Sequence, residues 1–345
     1  MVLQAPHVGP RPEVVTGLIM KSVSTTRGAI SAIVPTIGRP ESLKRMLESL
    51  CRQSCKIDEV IVADASNDDL TRSMIEHPRW RAAGLVVGRV AVNPPNAVRQ
   101  REAAIRASDG EMLLFLDDDV VLEQACVEHM LALLQANPNV VAVTADFTNE
   151  VWPQPTRLWQ LYLRYVLRLP VDTWQGRVVG PLLRFGYNPV PTTPKPMQWL
   201  GTGNSMVRRS AYFRAGGFSD FFLHRCTINE DVDLGIKLSR VGGILFSPNA
   251  RLAHHHAPGG RVPVALAAED DVYNRFLVMH RTLRFSTLRS SLLIVVYVSI
   301  ETLSNILAAT KRVRLGPTLQ LLRGRIRGLM QIGRLCLGLS PHKCT

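Results

Sequence analysis

The feature that most narrows the fold is a set of short apolar runs alternating with helix-length stretches. The runs cover residues 29–35, 59–64, 85–92, 111–116 and 140–145. Each is too short for a typical helix and apolar almost throughout, as expected of strands buried on both faces. Between them lie stretches with helical spacing. Leu43, Met46, Leu47 and Leu50 follow Pro40, and residues 97–107 and 123–135 repeat the pattern. Pro is tolerated at the start of a helix, where its missing N–H has no partner to lose. Strands and helices in this order imply an α/β chain with a mostly parallel central sheet covered on both faces. Ligands of such sheets bind at the carboxyl ends of the strands, so chemistry is sought there.

Asp117-Asp118-Asp119 ends the fourth run abruptly. Three adjacent carboxylates repel one another, and a divalent cation with oxygen ligands relieves that repulsion. The structural alternative is a set of acids at a helix N-terminus, where the dipole favours them. Glu230, Asp231 and Asp233 form a second acidic cluster at the head of a helical stretch, with the same alternative. Both clusters fall where loops meet the same sheet edge. His254-His255-His256 follow a strand-like stretch, and an imidazole there completes an oxygen-rich metal site. Asp64 ends the second run, where a carboxylate accepts a hydrogen bond from a base or sugar. Arg99 and Arg101 either neutralise phosphate or belong to a solvated helix face. The chain contains no GxGxxG, Walker A, HExxH or GxSxG pattern. Phosphate binding through a glycine loop is therefore disfavoured, and binding through a metal on carboxylates remains.

Residues 1–27 are rich in Pro, Ser and Thr and read as a loose extension. The short apolar stretch 14–20 is interrupted by Thr16 and Gly17, so no signal peptide is expected. The six cysteines include no CxxC, which indicates neither a zinc site nor a disulfide framework and suits a cytosolic protein with reduced thiols. Charge is uneven. From Arg281 onward eleven Lys and Arg face one acid, Glu301, so this tail holds ten of the thirteen net positive charges. Such a tail points to anionic lipid or nucleic acid. Acidic clusters on the body argue against nucleic acid, and no nucleic-acid partner is expected.

Residues 156–169 read as an amphipathic helix that mixes Trp159, Tyr162 and Tyr165 with arginines. Two more helices are expected at 290–309 and 318–339. Glu301, Ser304 and Asn305 interrupt the first, which argues against a membrane span. The second is basic and amphipathic, as in helices that lie in the plane of a membrane surface. A peripheral position on the inner face of the cell membrane is the expectation, with a single tilted span and a helical tail packed on the body, its arginines in water, as the alternatives.

Several segments together carry a family resemblance. Val34-Pro35-Thr36 with Arg39 is similar to an opening strand and turn of the type P-T-x-x-R. Ala63-Asp64-Ala65-Ser66-Asn67-Asp68 resembles a D-D-G-S-x-D nucleotide loop, departing at Ala63 and Ala65. Arg99-Gln100-Arg101-Glu102 resembles R-Q-R-N, and Phe115-Leu116-Asp117-Asp118-Asp119 a strand ending in D-x-D. Gly201-Thr202-Gly203-Asn204-Ser205-Met206, Gly216-Gly217-Phe218-Ser219-Asp220 and Glu230-Asp231-Val232-Asp233-Leu234 follow in matching order. The strand around Pro248, Ala250, Leu252 and His254 completes the series. In this order the chain resembles the family 2 glycosyltransferases, inverting sugar-nucleotide enzymes of the GT-A fold, over residues 30–281. The Q-x-x-R-W motif of processive synthases is absent, so one sugar per acceptor is expected.

The resemblance implies roles for individual residues. Asp231 is the general base, and Asp119 and His254 hold Mn²⁺ or Mg²⁺. Pro35, Thr36, Arg39, Asp64, Arg99, Arg101, Asp117 and Asp118 bind the nucleoside-diphosphate sugar. Trp199, Gly203, Asn204 and Glu230 meet a saccharide acceptor, expected to be lipid-linked. The implied division is an extension 1–27, a catalytic domain 28–264 and a membrane-associating region 265–345. Within the domain, 28–150 is the nucleotide half and 151–264 the acceptor half. A metal-dependent nucleotidyltransferase of similar α/β fold is the alternative. It is disfavoured because the turn Thr36-Ile37-Gly38-Arg39 is short and poor in glycine.

Overall fold

The computed structural model describes residues 28–170, 173–225, 227–259, 262–312 and 315–339. The expected extension 1–27 lies outside them. The first half runs β1 (Ile30–Thr36), α1 (Pro40–Cys51), β2 (Glu59–Asp64), α2 (Asp69–Ile75), α3 (Arg79–Ala82), β3 (Val87–Ala91), α4 (Ala97–Arg106), β4 (Met112–Leu116), β5 (Val120–Leu122), α5 (Cys126–Ala136) and β6 (Val140–Phe147). The second half runs α6 (Arg157–Leu161), β7 (Val178–Val179), β8 (Leu183–Arg184), β9 (Lys195–Met197), β10 (Asn204–Arg208), α7 (Arg209–Arg214), α8 (Glu230–Ser239), β11 (Gly243–His254), α9 (Val264–Leu277), α10 (Thr287–Arg312) and α11 (Leu315–Cys336).

The main sheet has the order β3-β2-β1-β4-β10-β6-β11-β5, with β9 also paired to β11. Strands β1, β2, β3 and β4 are parallel, β10 runs against both β4 and β6, and β11 is parallel to β6. Six strands therefore point one way, and their carboxyl ends open on one edge. Strand β4 is buried along its whole length, which explains its unbroken apolar run. Two apolar layers cover the sheet. One packs Leu43, Met46 and Leu47 of α1 with Met130 and Leu134 of α5. The other joins Ile105, Tyr212, Leu234 and Phe276 from α4, α7, α8 and α9.

Three elements differ from expectation. After the acids comes a short strand, β5, paired antiparallel to β11, and the helix starts only at Cys126. The acids of residues 117–119 therefore do not lie in the first turn of a helix. The aromatic stretch 156–169 is α6 followed by a wider π-helical turn, Tyr162–Val166. Strand β11 has twelve residues and a register shift between Ser247 and Arg251.

The expected boundary at 264/265 is not a break in packing. Val272, Phe276 and Leu277 of α9 belong to the same core as Phe115 and Trp199. Helix α11 lies close on α9, since a Cβ at Gly324 would sit 2.1 Å from the Ala265 carbonyl oxygen. Helix α10 turns Ile294 and Tyr297 inward. Glu301, the acid that interrupts its apolar run, accepts from Trp159 Nε1 at 2.7 Å and lies 3.4 Å from Arg325. Its other side exposes Leu288, Leu292, Val295, Leu303 and Ile306. Residues Thr287–Ala308 have a mean hydropathy of 1.8 and are long and apolar enough to cross a membrane.

Candidate active site

The carboxyl ends of β1 and β4 lie side by side in the sheet, and this sets the first wall of the site. Thr36, the last residue of β1, donates its hydroxyl to Asp118 at 2.7 Å, and Arg39 reaches the same carboxylate at 3.1 Å. Burial pushes the Asp118 carboxyl up to about 6, although Thr36 and Arg39 pull it down. Gln100 donates to the carbonyls of Thr36 and Ala63, both at 2.8 Å, and so ties the ends of β1 and β2 together.

The pairing of β5 with β11 brings the histidine to the acids. His254 stands opposite Val120 in that ladder. Its Nε2 lies 3.1 Å from Asp119 Oδ1, and its Nδ1 lies 2.7 Å from Glu150 Oε1. Burial alone lowers the imidazole's affinity for a proton, but hydrogen bonds to Asp119 and Glu150 hold its pKa up at about 9. Asp119 also accepts from the Ala257 N–H at 2.8 Å. Burial raises its pKa, but His254 and that N–H outweigh it, and the net shift is downward.

The donor atoms of Asp117, Asp119 and His254 lie within 4.8 Å of one another, as do those of Glu150, His254 and His256. Two carboxylates and an imidazole are a donor set suited to Mn²⁺ or Mg²⁺. The residues present therefore fit a divalent cation. A Cβ at Gly203 would lie 2.2 Å from Asp117 Oδ2, so any side chain there would displace that carboxylate.

The opposite wall comes from the head of α8. Asn229, at φ 73°, turns the chain into that helix. Glu230 is buried, lies 3.4 Å from Arg101 Nη1 and accepts from the Thr202 hydroxyl at 3.1 Å. Burial and the neighbouring Asp231 charge push its carboxyl up to about 7, against the pull of Arg101. Arg101 also holds Asp117 at 2.8 Å, and so links the two acidic clusters. Asp231 pairs with Arg184 of β8 at 2.8 Å, and Arg184 lies over the Trp199 ring. Asp233, the third acid, is fully buried among Ser219, Lys237 and Thr282, away from the opening.

Two connected clefts result. One, of about 340 Å³, is lined by Pro35, Thr36, Arg39 and Asp118. The other, of about 440 Å³, is lined by Trp199, Gly203, Asn204, Glu230, Asp231 and Arg184. Arg101, Asp117, His254 and His256 line both, and Asp119 lines the first. Two expected donor-binding residues are not in either wall. Asp64 is 1% exposed and is taken up by Arg89 at 2.8 Å and the Ser66 N–H at 2.9 Å. Arg99 turns away and donates to the Leu223 carbonyl at 2.9 Å.

Sequence reasoning missed Glu150 and Arg184, and the resemblance chose His254 over His256, although both histidines line the clefts. Glu150 lies three residues beyond β6, at the same carboxyl edge as Asp117, so the strand-end rule applied to β6 would have found it. Arg184 lies in a Pro- and Gly-rich stretch with no periodicity and gives no signal in sequence.

The signature of Glycosyl transferase family 2 matches residues 31–212, just over half of the chain. The O-antigen biosynthesis protein RfbC of Myxococcus xanthus is 26% identical over 251 residues, 67% of this chain and 18% of that protein. The N-acetylglucosaminyl-diphospho-decaprenol L-rhamnosyltransferase of Mycobacterium tuberculosis is 38% identical over 74 residues, 21% of this chain and 23% of that protein. The chain thus spans only a minor part of the curated relatives it matches, 36% at most among the first of them. The mannosyltransferase PcManGT of Pyrobaculum calidifontis, solved with GDP-Man and Mn²⁺, superposes with a TM-score of 0.54 at 15% identity. The superposition covers 89% of this chain and 88% of that one. At that identity the likeness shows a shared fold, the GT-A fold.

Proposed function

The chain belongs to glycosyl transferase family 2 and is a glycosyltransferase, and from that premise we propose the reaction and the roles of its residues. The protein moves one sugar from a nucleoside-diphosphate sugar to a hydroxyl of a saccharide acceptor, with inversion. The observation that carries this reading is the confrontation of Asp117 and His254 with Asp231 across one cleft, with Asp119 3.1 Å from His254 Nε2.

The donor occupies the smaller cleft, where Arg39 and Arg101 meet its phosphates. Asp117, Asp119 and His254 would hold a divalent cation, which would supply Lewis-acid neutralisation of charge on the leaving diphosphate. The acceptor occupies the larger cleft beside Trp199 and Asn204. Asp231 takes the proton of the acceptor hydroxyl as its oxygen bonds to the anomeric carbon. The bond to the diphosphate breaks on the opposite face, and the configuration inverts in one displacement. Asp64 does not face the cleft, so base recognition is not assigned to it, and Arg99 is assigned to holding the loop at Leu223. The test is product analysis with labelled sugar nucleotides and Mn²⁺. Free nucleoside diphosphate supports transfer, whereas pyrophosphate would support the nucleotidyltransferase alternative.

The reading extends to the place of action. The exposed apolar row of α10 is bordered in sequence by Arg281, Arg284 and Arg289 and belongs to a strongly basic tail. Each basic residue near an anionic leaflet contributes about 1 kcal/mol. Glu301 is bound to the body by Trp159 and Arg325, which suits a helix lying on the cytoplasmic membrane surface better than one passing through it. A surface site would bring the larger cleft to a lipid-linked acceptor, the class named by the Mycobacterium relative. The full chain should float with anionic liposomes at low salt and be released by high salt or carbonate. Leu292→Glu with Leu303→Glu should abolish flotation. Release by detergent alone would mean a span.

A further inference from the structure

Helix α9 lies beyond the family signature at 31–212, yet one of its turns holds both sides of the acceptor cleft. Asp271, Asn274 and Arg275 are three and four residues apart and so share a face. Asp271 Oδ1 accepts from Asn229 Nδ2 at 2.9 Å, and Asn274 donates to the Ile228 carbonyl at 3.0 Å. These contacts fix the two residues that precede Glu230 and Asp231, including Asn229 with its left-handed backbone. Arg275 donates to the carbonyls of Pro181 and Leu182, the first at 2.9 Å. That segment leads directly into Arg184, the partner of Asp231. Arg275 and Asp271 bind each other at 2.9 Å. Tyr297 of α10 closes the group, donating to Asp271 Oδ2 at 2.6 Å while its ring lies 4.1 Å from the Arg275 guanidinium. Burial works against the Asp271 charge, but Arg275, Tyr297 and Asn229 together hold its pKa below the ordinary carboxylate range.

We propose that Asp271, Asn274 and Arg275 are positioning residues that set Asp231 and Arg184 against each other, so that the acceptor half of the site is assembled by α9. None of the three lines either cleft, so they act through the backbone of 228–229 and 181–182. The inference rests on the assignment of Asp231 above. It differs from that assignment in predicting a coupling between two loops that are joined through this turn of α9 and the Asp231–Arg184 pair.

The test uses the full chain with Asp271→Asn, Arg275→Met, Arg275→Lys and the milder Tyr297→Phe. Hydrogen–deuterium exchange is read without any substrate. In Asp271→Asn and Arg275→Met, exchange should rise in both 178–186 and 227–232 while β1 and β4 keep their protection. Arg275→Lys, which keeps the charge, should recover part of it. Tyr297→Phe should raise exchange at 227–232 alone. Donor hydrolysis, with water in place of the acceptor, should lose about 10²-fold in kcat in Asp271→Asn with the donor KM unchanged, the expected cost of misplacing a reacting group by about 1 Å. In Asp271→Asn or Arg275→Met, a rise in only one of the two segments, loss of protection in β1 and β4 as well, or unchanged kcat with raised exchange would each overturn the proposal. If the wild type binds neither UDP nor GDP with Mn²⁺, the donor reading fails, while the exchange arms still decide the inference.

Discussion

The two sides of the cleft are built in different ways. The donor wall is made of strand ends. Thr36, Asp117, Asp118 and Asp119 leave adjacent strands whose backbones are fixed by ladders of hydrogen bonds, and each acid is held at short distance, Asp118 by Thr36 and Arg39, Asp117 by Arg101 and Asp119 by His254. The acceptor wall is made of a two-residue hairpin strand, a left-handed turn at Asn229 and the head of α8. It is held from behind by α9, which in turn packs on α10 and α11. A wall of strand ends derives its geometry from the sheet. A wall of loops needs a second layer to supply it. On the proposed roles, changes of donor chemistry should come from residues in the wall itself, and changes of acceptor geometry also from the α9 residues behind it, which line neither cleft.

The largest effect expected from this comparison is on turnover. Asp231→Asn should lower kcat by about 10²–10⁴-fold, the usual worth of a general base, and leave calorimetric donor affinity intact. Loss of donor affinity in that variant would mean that the two walls are not separable. Next is metal binding. Asp119→Ala should weaken Mn²⁺ and, with it, donor binding by at least about 10–100-fold, the range seen when even an outer partner of a metal ligand is removed. EDTA should do the same to the wild type. Equal donor affinity with and without EDTA would remove the cation from the donor wall.

The pH dependence is smaller and has a defined sign. His254 is held protonated up to about pH 9 by Asp119 and Glu150, and an imidazole binds a metal only in its neutral form. Binding therefore expels a proton, and Mn²⁺ affinity should climb by up to about tenfold per pH unit from pH 6 and level off near pH 9. Glu150→Gln weakens the hold on the proton and should move the plateau to lower pH. A flat titration between pH 6 and 9 would show that His254 does not bind the cation. The smallest effect is expected at Arg99. Since it holds the Leu223 carbonyl and not the donor, Arg99→Ala should cost about 1 kcal/mol of stability and leave donor affinity unchanged. A fall in donor affinity comparable to that of Asp119→Ala would return Arg99 to the donor wall.

Much of the donor wall was legible in the chain because strand ends are legible. An apolar run that stops at charged residues marks both the strand and its edge, so Asp117–Asp119 were placed without knowledge of neighbours. The same rule puts Asp64 at the end of β2 but does not give the direction of its side chain. Arg89, on the adjacent strand, draws that carboxylate inward. For Asp231 and Asp233, sequence spacing offered no distinction. They lie two residues apart, and only packing shows one paired with Arg184 at the cleft and the other buried beside Lys237.

The sequence by itself determined the order of strands and helices, the edge where chemistry gathers and the chemical types available there. These are local properties, set by hydrophobic period, strand length and charge along the chain. Tertiary structure alone decided that β5 pairs with β11 and so sets His254 against Asp119, that Arg101 joins the two acidic clusters, and that α9 holds Asn229 and Leu182 at once. Each of these contacts joins residues far apart in the chain. A hydrogen bond or ion pair depends on distance and direction in space, and periodicity along the sequence carries neither.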